Sequence, residues 1–134
     1  MREILFRGKR IDNGEWVYGY YAEFHNRPKV NKPNTCQIFA PDENAFLCGS
    51  SIGGMWHIVD PETVGQFTGV YDYNEKRIFE GDVVRDPSLR HDYTVEFRDG
   101  RFCGVERVER NMCLSISRLN DTYTVVGNIY KQEE

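Results

Sequence analysis

Turn-forming residues break this chain roughly every eight to twelve positions, a spacing that leaves room for strands rather than helices. Asp12-Asn13-Gly14, Tyr73-Asn74-Glu75-Lys76, Asp99-Gly100 and Asn120-Asp121 are the clearest breaks. Between them, no window of about 11 residues sustains apolar side chains at i, i+3, i+4 and i+7. The intervening segments are instead short and rich in Val, Ile, Tyr, Phe and Trp, residues that suit a pleated, half-buried surface. The fold class that follows is all-β, built from short antiparallel hairpins.

The first hairpin sets the pattern. "ILFRGKRI" and "EWVYGYYAEF" flank Asp12-Asn13-Gly14. An Asn-Gly pair supplies the two positive φ angles of a type I′ turn. With Asn13-Gly14 as the loop, Ile11 pairs with Trp16, Lys9 with Tyr18, Arg7 with Tyr20 and Phe6 with Tyr21. Gly8 then meets Gly19, leaving a gap for another backbone or a bulge. Arg7, Lys9, Tyr18 and Tyr20 share one face, which suits cation–π contacts. Such a face also suits stacking of single-stranded nucleic acid, while ordinary cross-strand pairing gives the same residues a purely structural role.

Pro28 and Pro33 make residues 25–35 a loop. "CQIFA", "AFLCG" and "MWHIVD" are the next strand candidates, and His57 points away from its neighbours Trp56 and Ile58. Asp60-Pro61-Glu62-Thr63 reads as a capped helical start that Gly65 limits to a turn or two. The subdomain boundary is placed there: an N-terminal β subdomain over 1–59, packed on a C-terminal one over 60–134. In the second, "QFTGVYD" turns into "RIFEGDVVRD", and "YTVEFR" turns through Asp99-Gly100 with Phe97 opposite Phe102 and Glu96 opposite Cys103. "LSISRL" turns through Asn120-Asp121 into "YTVVGNIY". These hairpins match the size of a small SH3-like barrel.

Composition narrows the function classes. With 134 residues, 40% hydrophobic and 28% charged, the chain is long enough and apolar enough to bury a core. Its net charge of −4 gains little from neutralising phosphates, which disfavours general nucleic-acid binding. No run approaches the roughly 18 apolar residues of a membrane span, and the charged opening "MREILFR" does not read as a signal peptide, so a cytoplasmic protein is expected. Cys36, Cys48, Cys103 and Cys113 lack the close pairing of zinc ligands and are expected to be reduced and buried. No metal or cofactor is expected.

The stretch most crowded with polar groups is "TVGQFTGVYDYNEKRIFEGDVV", residues 63–84. Glu80 and Asp82, two apart on a regular strand, would share a face and could act as an acid/base pair or hold a hard cation. Gly81 between them invites a bulge that breaks this alignment, and Gly-Asp ahead of two valines marks a turn into a strand. Gln66 is placed to satisfy buried backbone groups. No lysine follows Gly69 as a P-loop requires, and no G-x-S-x-G appears, so no catalytic residue is assigned.

Three segments carry a resemblance: "REILFRGKRIDNGEWVYGYY", "VDPETVGQFTGVYDYNEKRIFEGDVV" and the terminal "VVGNIY". Together they resemble the YopX family of phage and prophage proteins. The turn usual in that family is closer to D-K-N-G-K, where this chain has Asp72-Tyr73-Asn74-Glu75-Lys76 and lacks the glycine. The resemblance implies an all-β, phage-encoded protein in a bacterial host cell, with no enzymatic activity to carry over. A non-enzymatic binding or assembly role follows, with a homo-oligomer or a phage or host protein as partner. A nucleic-acid-binding module is the alternative.

Overall fold

Residues 3–24, 35–41, 54–86, 91–107, 113–115 and 123–130 are described by a computed structural model of the chain. Their regular structure is antiparallel β throughout, apart from one 3-10 turn at Pro61–Thr63. The chain divides into two units, Ile4–Gly65 and Gln66–Glu134, the latter joined by Met1–Glu3. The expected strand "AFLCG" and the loop at 25–34 lie outside the described residues.

In the N-terminal unit the strands are β1 (Phe6–Lys9), β2 (Trp16–Phe24), β3 (Thr35–Pro41) and β4 (Gly54–Val59), side by side in the order β4-β3-β2-β1. The sheet then curls until β4 meets the chain leaving β1. Arg10 and Val59 form an antiparallel bridge, the Ile11 amide donates to the Ile58 carbonyl at 3.1 Å, and the Asp60 amide donates to the Lys9 carbonyl at 2.8 Å. The turn 61–63 seals this junction. Asp60 caps it through the Glu62 amide, Pro61 opens it, and the Thr63 hydroxyl accepts from the Lys9 amide at 2.9 Å while donating to the Asp60 carbonyl at 2.7 Å. The turn that the sequence marks as a boundary therefore sits inside this unit, and the division falls after Gly65.

Curling separates the two faces. Cys36, Ile38 and Val59 are buried inside, with Phe6, Val17, Tyr21 and Val64 packed on them. Burying each such aliphatic side chain stabilises by about 1.5–3 kcal/mol. A side chain at Gly19 would land on the Phe39 carbonyl oxygen, so the gap expected there is filled by the backbone of β3.

The first hairpin differs from the expected register. Lys9 pairs with Trp16, Gly8 with Val17, Arg7 with Tyr18 and Phe6 with Gly19, two residues away from the register of an Asn13-Gly14 loop. The loop is longer because Ile11 is used elsewhere: its amide belongs to β4. The hairpin ends at Arg10 and Glu15, the Gly14 amide donates to the Arg10 carbonyl, and Gly14 takes positive φ while Asn13 does not. Asn13 serves through its side chain, accepting from the Glu15 amide. A shift of two preserves which side chains share a face, because strand side chains alternate with period two.

In the C-terminal unit, β5 (Gly65–Tyr71) pairs with β6 (Arg77–Phe79). Strands β7 (Asp82–Asp86), β8 (His91–Arg98), β9 (Arg101–Glu106), β10 (Cys113–Ser115) and β11 (Thr124–Asn128) form a five-stranded sheet in the order β10-β9-β8-β7-β11. Asp99 and Gly100 both take positive φ, which is the type I′ geometry, and Phe97 faces Phe102 and Glu96 faces Cys103 as expected. The expected hairpin from "LSISRL" through Asn120-Asp121 falls on residues 116–122, which lie outside the described residues; among the described strands, β10 and β11 occupy opposite edges of the sheet. The last strand is drawn to β7 instead by three anchors. The Val125 amide donates to Asp72 Oδ2, the Tyr73 amide to the Tyr123 carbonyl, and the Ile129 amide to the Gly81 carbonyl. Ile78, Val84, Tyr93, Val95 and Tyr123 form the core.

The β5–β6 turn holds a local conflict. Asp72 Oδ1 accepts from the amides of Asn74 and Lys76, and this clamp forces Glu75 to φ 62°, where the family pattern places glycine. A left-handed non-glycine residue costs roughly 1–2 kcal/mol, against roughly 0.5–1 kcal/mol for the added flexibility of glycine. Glu75→Gly is expected to stabilise the chain by about 0.5–1 kcal/mol, read as a higher urea midpoint at unchanged slope. An unchanged or lower midpoint would contradict the account of this turn.

Candidate functional site

Cross-strand partners project to the same side of a sheet, so the registers of β1–β4 define the outer face residue by residue. Tyr20 faces Phe39, which faces Trp56, and in the next row Ala22 faces Gln37, which faces Ile58. Toward β1, Tyr18 faces Arg7 and Trp16 faces Lys9. Tyr18, Tyr20, Trp56 and Ile58 are each about half exposed, at 47%, 52%, 46% and 48%. Phe39 and Trp56 lie with ring centroids 5.2 Å apart. The result is a row of aromatic rings crossing β2, β3 and β4, with charge confined to β1.

The two cations at that edge are held close. The Arg7 guanidinium lies 4.6 Å from the centre of the Trp16 ring and the Lys9 ammonium 5.5 Å from it. The sequence register pointed to Tyr18 and Tyr20 as their partners; the two-residue shift substitutes Trp16. Arg7 is buried, with 5% of its surface exposed, so its charge is not presented to solvent.

Beside the aromatic row, Ile11, Met55, Trp56, His57 and Ile58 line an open recess of about 340 Å³. Arg10 and Asp12 stand at its rim, joined by two hydrogen bonds of 2.9 and 2.6 Å. That pairing holds the Asp12 carboxyl below the usual carboxylate range and raises Arg10 above its ordinary value. His57 lies on the inner side of β4 opposite Ile38, as its alternation with Trp56 and Ile58 requires.

The polar candidates Gln66, Glu80 and Asp82 lie in the other unit. Asp82 is 1% exposed, and its Oδ2 accepts from the Phe79 amide at 2.8 Å, closing the turn before β7. Gly81 at φ 92° separates it from Glu80, so the two carboxylates do not lie on one regular strand face. The Glu80 amide donates to the Gln66 carbonyl, which fixes Gln66 through its main chain. Gly81 also packs so closely on Tyr130 that a side chain there would meet the ring at 2.6 Å. Along β7–β9, Arg85 bonds Asp92, Arg98 lies near Glu96 and His91 near Glu106, so charges of both signs alternate on that surface.

The model of the family described as YopX protein matches residues 5–134. The chain belongs to the YopX family. A solved structure of protein EF1440 from Enterococcus faecalis is similar to this YopX-family chain at a TM-score of 0.54, with 22% identity over 97% of this chain and 95% of that one. At that identity the likeness speaks for the β fold alone. No curated protein matches the chain significantly. No helix among the described residues is long and apolar enough to cross a membrane.

Sequence reasoning named Tyr18 and Tyr20 but not Trp16, Phe39, Trp56 and Ile58. Their alternation was visible in "CQIFA" and "MWHIVD"; the strand order that aligns them was not.

Two tyrosines with raised pKa values, Tyr21 and Tyr123, give this family member an alkaline limit. The Tyr21 hydroxyl donates to Cys36 Sγ at 3.3 Å, and that bond together with burial pushes its pKa up to about 12. Burial, then the neighbouring Tyr93 and Asp86, push Tyr123 up to about 12. An unfolded tyrosine ionises near pH 10. The stability tied to these groups is therefore complete below about pH 10 and is lost as pH rises through about 12. An absorbance titration should show Tyr21 and Tyr123 ionising late, together with alkaline unfolding. Tyr21 and Tyr123 both titrating near pH 10 with the fold intact would contradict this.

Proposed function

We propose that this YopX-family chain is a non-enzymatic binding or assembly protein, encoded by a phage or prophage and active in the host cytoplasm, whose recognition surface is the aromatic outer face of the N-terminal sheet. One observation carries the reading: Tyr18, Tyr20, Phe39, Trp56 and Ile58 are brought onto one outer face from three separate strands, and four of them stand about half exposed. Exposed apolar surface gathered into one patch, rather than scattered, marks an interaction site. Aromatic rings suit such a site because they bring a large contact area with few rotatable bonds. The C-terminal unit, read as an SH3-like small barrel, is the scaffold: its carboxylates Asp72 and Asp82 are engaged in holding turns.

A nucleic-acid-binding module is the second reading, favoured by Lys9 at the margin of the aromatic row. Arg7 weighs against it, since a guanidinium buried on Trp16 does not reach a phosphate, and phosphate contacts supply most of such affinity.

The test is a photo-crosslinking residue placed at Tyr20 and, separately, at Tyr73, which is 67% exposed in the other unit. In producing cells position 20 is expected to capture a defined partner and position 73 not to. Capture from position 73 alone, or from neither, would refute the reading.

A further inference from the structure

We infer that the partner of the aromatic face is a second copy of this chain, related by a twofold axis. The inference rests on the reading of that face as the binding surface and goes further by naming its occupant. Its first support is electrostatic. The chain carries a net charge of −4, so two copies repel over most of their surfaces. On the outer face of β2–β4, Tyr18, Tyr20, Ala22, Gln37, Phe39, Trp56 and Ile58 are all uncharged. Two copies meeting there bring no like charges together.

The second support is area. The exposed aromatic row is continued by Ile11, which is 65% exposed beside the recess and whose amide bonds the Ile58 carbonyl. Aromatic side chains present on the order of 150–250 Å² each when fully counted, so Tyr18, Tyr20 and Trp56 at about half exposure, with Ile11 and Ile58 beside them, offer several hundred Å². That exceeds what scattered surface residues provide and approaches the roughly 800 Å² per partner of a standard stable interface.

The third support is anatomy. An uncharged centre bounded by polar groups is the usual arrangement of a protein–protein contact. Here the margin holds Lys9 and the Arg10–Asp12 pair, which presents both signs of charge together and so is compatible with its own copy. A polyanion would find the reverse arrangement: an uncharged centre, with Arg7 buried.

A twofold contact uses the same patch on both subunits, so each substitution acts twice. Tyr20→Arg puts a cation into each half of the interface, and Trp56→Ala removes a ring from each. Tyr73→Arg makes the same change of charge at an exposed tyrosine of the other unit. The experiment is sedimentation velocity of the full chain over a wide concentration range, with circular dichroism to verify that each variant folds.

The wild-type mass is expected to climb from 15.7 kDa to twice that value as concentration rises. Tyr20→Arg and Trp56→Ala should each raise the dissociation constant by roughly 30-fold or more, the scale of a hot-spot residue, and Tyr73→Arg should behave as wild type. A wild-type chain that stays at 15.7 kDa throughout overturns the inference, as does a folded Tyr20→Arg chain that associates unchanged. If the monomeric chain still crosslinks another molecule from position 20, the second copy is refuted and the binding face stands. Salt-sensitive binding of a labelled single-stranded oligonucleotide by that monomer would replace the occupant with nucleic acid.

Discussion

The arrangement of the N-terminal unit depends on the return of Lys9, Arg10 and Ile11 to the far edge of β4. A flat four-stranded sheet of this length would have two half-buried faces and no enclosed core. Three main-chain contacts, between Ile11 and Ile58, Arg10 and Val59, and Lys9 and Asp60, curl it instead. The Thr63 hydroxyl locks the junction by accepting from the Lys9 amide of β1 and donating to the Asp60 carbonyl just past β4. Once the sheet is curled, its two faces are no longer equivalent. The inner one is filled by Cys36, Ile38 and Val59, and the outer one is left to carry whatever alternates with them. What alternates with them is aromatic and uncharged, and on a chain with an acidic balance that is the composition of a contact surface.

The C-terminal unit solves its own closure differently, with carboxylates rather than a threonine. Asp72 gathers three main-chain amides from two distant segments, and Asp82 takes one from the turn before β7. A buried carboxylate is costly unless its oxygens are met by donors, and here they are met by backbone. The polar density of residues 63–84, which looks like chemistry in one dimension, is largely the hydrogen bonding needed to close a short hairpin and to tie the last strand to its turn.

Local features of the fold were legible in the sequence because their causes are local. The Asp60-Pro61 cap and the Asp99-Gly100 hairpin with Phe97 opposite Phe102 both follow from residues within a few positions of each other. The first hairpin shows where this stops. Asn13-Gly14 favours a tight turn, but the tertiary bond from Ile11 to Ile58 overrode that preference and lengthened the loop. Likewise, nothing near Val125 in sequence announces that its amide belongs to Asp72. The aromatic face lay in between. Its residues were readable as alternating sets within each strand, and assembling them needed the register of β2, β3 and β4, which no single segment contains.

The most direct test of this account is native-state amide hydrogen exchange at Ile11 and Asp60. Both lie next to exposed loops, and only the closure onto β4 and β1 gives their amides partners within the unit. If the closure organises the unit, both amides are protected to nearly the level of its global unfolding. Exchange at Ile11 and Asp60 as rapid as that of the neighbouring exposed Asp12 and Asn13 would mean that the sheet is open in solution, and the separation of an inner core from an outer aromatic face would fail with it.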